Sequence, residues 1–153
     1  GETMIRQAVG AIIHQGDSYI VVCKSWQHTI NGEVKIDDEW DIVKGGVEKS
    51  DPSLEAAILR ELYEETGSTA FTICNKFDAQ LHFSFPPDMQ EKIGYSAQET
   101  TIFQVEFTGN VDHLKPVDGE ISGIQLVHKS EFLTCLSHEE MRQYVKENIL
   151  NLV

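Results

Sequence analysis

Positive charge is scarce in this 153-residue sequence: 12 Lys and Arg stand against 25 Asp and Glu, a formal net charge of −13. Basic surfaces hold nucleic acids and anionic membranes, so this imbalance excludes a general electrostatic grip on either. A small anionic ligand is still permitted, provided a local cation neutralises it. Cysteine is rare too. Cys23, Cys74 and Cys135 are odd in number, far apart and in no metal-ligand or redox spacing, which argues against a disulfide framework. Long apolar runs are missing: the longest, Ala8 to Ile13, falls far short of a membrane span. With no secretory or membrane segment, a reducing cytoplasm is the expected compartment. Repeats, low-complexity stretches and linkers are absent as well. Gly1-Glu2-Thr3 ahead of Met4 reads as an expression scar, and a single domain is expected over 4–153.

Apolar periodicity is present in quantity. From Gln7 to Val22, two apolar runs flank Gln15-Gly16-Asp17-Ser18, which predicts strand, turn and returning strand. Gln27 to Glu39 is polar with Asn31-Gly32, a hairpin-turn dipeptide, at its centre. Trp40 to Val43 is a short strand candidate leading into Lys44-Gly45-Gly46. A helix is expected next, with Ser50 or Asp51 as N-cap, Pro52 in its first turn and Gly67 at its end. Its stripe is Leu54, Ala57, Ile58 and Leu62. Five alternating apolar residues from Phe77 to Phe85 predict a strand with one buried face, ended by Pro86-Pro87. Asp88 to Glu99 reads as a polar loop. Further strands are expected over Thr101 to Phe107 and Glu120 to Val127. A last helix is expected from Ser137, capped through Glu140, with Met141, Tyr144, Val145, Ile149 and Leu152 on its apolar face. Strands mixed with two main helices predict a sheet sandwiched between helices.

The chemistry concentrates in Lys44-Gly45-Gly46-Val47-Glu48 and Arg60-Glu61-Leu62-Tyr63-Glu64-Glu65-Thr66-Gly67. On a helix, Glu61, Glu64 and Glu65 share one face, within roughly 6 Å of one another. Like charges so placed repel, and desolvation makes the repulsion worse. Arg60 is one cation against three acids. A divalent ion reverses the sign of that energetics, since Mg²⁺ takes a few carboxylates together with substrate phosphate. The glycines let the backbone approach closely at the mouth of the helix, where a carbonyl can add to the coordination shell. Taken singly, a charged helix face and a Gly-Gly turn are ordinary. Joined at this spacing they mark a site.

The segment resembles the Nudix box, G-x(5)-E-x(7)-R-E-U-x-E-E-x-G-U with U a bulky aliphatic residue; its second half matches from Arg60 through Gly67. Two positions depart from the pattern. Ser68 stands at the final aliphatic position, and the first-half glutamate is replaced by Pro52 counting from Gly46, or by Asp51 counting from Gly45. The second register is preferred, because Val47-Glu48 then falls on the family's hydrophobic-acidic pair. In the family that acid orients the arginine, a task open here to Asp51 or Glu48. The resemblance implies an α/β/α sandwich around a mixed sheet. It also implies Mg²⁺- or Mn²⁺-dependent hydrolysis of a nucleoside diphosphate linked to another moiety. In that reading Glu61, Glu64 and Glu65 are metal ligands, joined by a carbonyl of Gly46 or Gly45. The general base is Glu64 or an acid outside the helix, and Arg60 holds the carboxylates. The departures leave one alternative, a Nudix-fold module that binds nucleotide or metal without cleaving it.

Outside the box, Phe83-Ser84-Phe85-Pro86-Pro87 followed by Lys92, Tyr95 and Gln98 resembles a stretch of Nudix dinucleoside polyphosphate hydrolases and bacterial RNA pyrophosphohydrolases. Ala97 and Thr100 replace a glycine and a glutamine of that pattern. Lys44 before the glycines resembles the Lys-Gly pair of animal diadenosine tetraphosphate hydrolases. These likenesses make Lys44, Lys92 and Tyr95 the candidate substrate contacts. They make Glu120 a candidate extra ligand or base. Trp26 and Trp40 are expected in the core or at a rim, and His28, His82 and His128 stand at unrelated spacings. The implied partner is a small nucleotide or a nucleotide-capped end.

Overall fold

The computed structural model describes residues 4–117 and 119–149, apart from the His28 side chain. The predicted strand pair is β1 (Ile5–Gln15) and β2 (Ser18–Thr29), antiparallel, with Ile13 opposite Ile20. β2 runs on into β3 (Gly32–Asp41) through a two-residue turn. Gln27 to Glu39 is therefore a long hairpin as the Asn31-Gly32 dipeptide indicates, its turn lying one residue earlier, at Ile30-Asn31. Its β3 half is mostly exposed, so it lacks the apolar alternation that marks a strand in sequence. β4 (Val43–Gly46) pairs with β1, placing Lys44 opposite Gly10 and Gly46 opposite Ala8. β5 (Phe71–Ser84) starts earlier than its alternation indicates, and of the five predicted inward residues Leu81 and Phe85 are the buried ones.

β6 (Ala97–Phe107) runs parallel to β1 and antiparallel to β5, while β7 (Ile121–His128) pairs with β2. The seven strands form one mixed sheet, ordered β3-β2-β1-β6-β5 along its main path. Alternation along β1 divides the core. Val9, Ala11 and Ile13 pack with Ala57, Ile58 and Leu62 of helix α1 (Leu54–Thr66) on one face. Ile12 joins Phe132 of α3 (Lys129–Cys135) and Met141, Tyr144 and Val145 of α4 (Glu139–Asn148) on the other. Helices on both faces make the expected α/β/α sandwich.

Several boundaries differ from expectation. Ser53 caps α1, its hydroxyl accepting from the Ala56 amide at 3.0 Å, because Asp51 is occupied elsewhere. Asp88 to Glu99 holds the short helix α2 (Pro87–Ile93), with proline in its first turn and Gly94 after its last. Ser137 does not cap α4: its hydroxyl accepts from the Trp40 amide at 2.8 Å, and the helix begins after His138. Leu152 lies outside the described residues. No helix among the described residues is long and apolar enough to cross a membrane.

Candidate active site

The loop between β4 and α1 is tied both to β1 and to itself. The Val47 amide donates to the Gln7 carbonyl at 2.9 Å, and the Glu48 amide donates to Asp51 Oδ2 at 2.8 Å. That turn presents the Asp51 carboxylate to Arg60. The guanidinium grips it as a fork, Nε to Oδ1 and Nη2 to Oδ2, both at 2.8 Å. Chiefly because of this arginine, helped by the Glu48 backbone amide, the Asp51 carboxyl is pulled down to about 2. The same fork holds the Arg60 charge above its usual range. Glu48 lies near the same cation, 3.5 Å from Nη1. Asp51 thus takes the orienting position that the preferred register gives it. The missing glutamate was the reason for a non-catalytic alternative, and Asp51 makes the contact with Arg60 that the absent glutamate was expected to make.

Arg60 reaches forward as well. Nη1 donates to Glu61 Oε1 at 2.9 Å and to Glu64 Oε2 at 3.2 Å, while Nη2 donates to the Gly46 carbonyl at 3.0 Å. One cation therefore ties two carboxylates and a carbonyl to the loop. Burial pushes the Glu61 carboxyl up to about 7 against the opposing pull of Arg60, with the neighbouring Glu64 charge adding to the rise. Gly45 makes this packing possible: a Cβ there would lie 2.0 Å from the Glu61 Cδ. Glu64 is the open member, its side chain 42% exposed. Glu65, by contrast, is 1% exposed and does not line the cavity.

Glu61 and Glu64 form part of the wall of a cavity of about 640 Å³. Glu120 lies in the same wall, at the head of β7, its carbonyl accepting from the Ser25 amide at 3.1 Å. The same lining holds cations that sequence reasoning missed, Arg6 of β1 and Lys24 of β2, together with the predicted Lys44. Arg6 donates to Gln98 at 2.9 Å and stacks against Gly46, whose absent side chain would meet its guanidinium. Apolar and aromatic side chains, Trp26, Leu81, Phe83, Phe85, Met89 and Tyr95, share the lining with polar ones such as Gln98, Asp41 and Glu140. Phe83 and Phe85 meet edge to face with centroids 5.1 Å apart, and Lys35 sits over the Trp26 ring. The hairpin tip closes this side, the Ile30 amide donating to the Lys92 carbonyl at 2.8 Å. Tyr95 and Gln98 line the cavity; the Lys92 side chain, on α2, does not. Trp40 packs under α4, and His128 caps α3, accepting from the Ser130 amide.

The donor set suits a hard divalent cation, since Glu61 and Glu64 offer only oxygen and Gly45 leaves the space that Glu61 fills. Among the described residues no three acidic, His or Cys side chains already converge on one ion position. Arg60 is the present counter-ion of Glu61 and Glu64, so a cation taken up there competes with it.

Comparison with known proteins agrees with this geometry. The NUDIX domain family model matches residues 4–148. An RNA pyrophosphohydrolase of Bartonella henselae is 30% identical over 136 residues, covering 83% of this chain and 72% of its own. One from Helicobacter pylori is 29% identical over 131 residues, covering 84% of this chain and 81% of its own. A MutT protein structure from Methanosarcina mazei superposes with a TM-score of 0.70 at 19% identity, covering 95% of this chain and 94% of that one.

Proposed function

The chain belongs to the Nudix family as a hydrolase of phosphoric anhydride bonds, and from that premise we propose that its substrate is a nucleoside diphosphate linked to a further phosphate-bearing moiety, with a 5′-triphosphorylated RNA end favoured. The observation that carries this reading is a single cavity with three kinds of wall. Glu61 and Glu64 of α1, the cations Arg6, Lys24 and Lys44, and the aromatic rings of Trp26, Phe83, Phe85 and Tyr95 line it together. Nucleoside triphosphates and dinucleoside polyphosphates share that chemistry. The Bartonella and Helicobacter relatives, named RNA pyrophosphohydrolase, tip the choice toward an RNA end. A net charge of −13 confines recognition to that end, since an extended RNA strand would meet a repelling surface.

Glu61, Glu64 and Glu65 are assigned as the residues that hold Mg²⁺ or Mn²⁺, with a carbonyl of Gly46 or Gly45 beside them. A divalent cation bound there supplies Lewis acidity, neutralising phosphate oxygens and making a nearby water more acidic. Glu64, the exposed member, or Glu120 takes the proton of the attacking water. The water oxygen bonds to phosphorus, and the anhydride P–O bond breaks with its electron pair leaving on the departing phosphate. Arg60, anchored by Asp51, keeps the carboxylates in place without touching substrate. Lys44 and Tyr95 are assigned to substrate, the lysine to phosphate and the tyrosine to the base, while Lys92, whose side chain lies off the cavity, is not.

A phosphate- and pyrophosphate-release screen tests the reading. It compares nucleoside triphosphates, dinucleoside polyphosphates, nucleotide sugars and triphosphorylated RNA, each with Mg²⁺ and Mn²⁺. Metal-dependent release that is fastest from triphosphorylated RNA is expected. Faster turnover of a nucleotide sugar than of every polyphosphate would overturn it.

A further inference from the structure

Asp41 has no part in the chemistry assigned above, yet it is a charged group buried to 3% exposure at the cavity wall. Its Oδ2 lies 2.8 Å from Lys44 Nζ and 3.8 Å from Lys24 Nζ, and its Oδ1 accepts from the Ile42 amide at 2.7 Å. Two ammonium groups from different strands are thus gathered on one carboxylate oxygen whose other oxygen is fixed to backbone. Burial works against the charge on Asp41 and on Lys24. The two lysines nevertheless keep Asp41 below its usual range, and the carboxylates around Lys24, Asp41 foremost, hold that ammonium above its own. Asp41 and Lys24 are therefore charged. The trio carries one net positive charge, in a wall where water screens poorly.

Lys24 has other anions within reach, since Glu65, Glu120 and Glu39 also act on its charge. Lys44 is steered separately: its aliphatic stem lies over Gly10, where a Cβ would stand 3.0 Å from Lys44 Cγ.

Resting on the reading of this cavity as a polyphosphate site, we propose that Asp41 is a positioning residue for substrate phosphate. It clasps Lys24 and Lys44 side by side so that both ammonium groups face the phosphate chain. Lys24 is then a phosphate contact alongside Lys44.

Inorganic tripolyphosphate, titrated calorimetrically in EDTA, probes the clasp without catalysis. Asp41→Asn is expected to weaken its binding by about five-fold or more, and by less than about two-fold when Lys24→Gln and Lys44→Gln are already present. In turnover, KM is expected to rise while kcat stays within about three-fold, a split that a general loss of structure does not give. If Asp41→Asn does not fold, the charge-balanced Asp41→Asn/Lys24→Gln carries the test, binding more weakly than Lys24→Gln alone. Unchanged affinity, or an equal loss in the lysine-free background, overturns the proposal. Should the tripolyphosphate pattern hold while no polyphosphate substrate is cleaved, the substrate assignment fails and the clasp stands.

Discussion

Two walls of one cavity are built by opposite means. The acidic wall comes from one loop and one helix, in which Asp51, Arg60, Glu61 and Glu64 lie within fourteen positions and are knit by hydrogen bonds of 2.8 to 3.2 Å. The wall facing it draws Arg6 from β1, Lys24 and Trp26 from β2, Lys44 from β4, and Phe83 and Tyr95 from either side of α2. The first wall is preorganised locally, by a turn, a cap and a fork. The second exists only because the sheet brings distant strands into register. If, as proposed, chemistry belongs with the first and recognition with the second, substitutions should separate them as kcat effects and KM effects.

The hardest blow to the acidic wall is Glu64→Gln. The residue is half exposed and touches no core side chain, so a turnover loss of about 10² to 10⁴-fold is expected without loss of fold. Steady-state kinetics beside a thermal melt decide it; activity within a few-fold of wild type would take Glu64 out of the mechanism. A smaller break is Gly45→Ala. Its Cβ would meet the far end of the Glu61 side chain, so the carboxylate is displaced while the backbone stands. A kcat loss of about 10 to 100-fold with a nearly unchanged melting temperature is expected.

The same contrast explains what could be read in the sequence. The acidic wall was legible because its spacing is helical and its residues contiguous. Even the departure at Asp51 resolved into the expected partner of Arg60. Arg6, Lys24 and Asp41 were not legible, because nothing local marks a strand residue as facing a cavity. Their partners lie across the sheet. The fold divides likewise. The β1–β2 pair and α1 announce themselves by periodicity. The hairpin after Gln27 does not, since β3 has little apolar surface to bury. α2 and α3 are seven residues each, too short for a helical stripe, although Pro87 and Gly94 did punctuate the first. Ser53 and Ser137 show how caps are settled in space, by whichever serine has no better partner.

The recognition wall should break differently. Trp26→Ala removes a ring that is 38% exposed and braced by Lys35 at the cavity mouth. A rise in KM of about ten-fold is expected for a nucleotide substrate, in line with about 1 to 3 kcal/mol for a lost base stack, with kcat little changed. A matching fall in kcat would place Trp26 with the acidic wall and blur the division.

The finest effect couples the acidic wall to protons. Burial has raised the Glu61 carboxyl from about 4.5 to about 7, so the fold favours its protonated form. Its contribution to metal-free stability is complete below pH 4.5 and is lost as pH rises through 7. A divalent cation requires the ionised form and has the opposite preference. Mg²⁺ or Mn²⁺ uptake should therefore release close to one proton at pH 6 and few at pH 8, with affinity rising across that window. The gain in melting temperature on adding metal should grow in parallel. Calorimetry in two buffers of different ionisation heat measures the proton count directly. A Glu61→Gln variant should abolish the release, and a pH-independent release in the wild type would show that the cation passes Glu61 by.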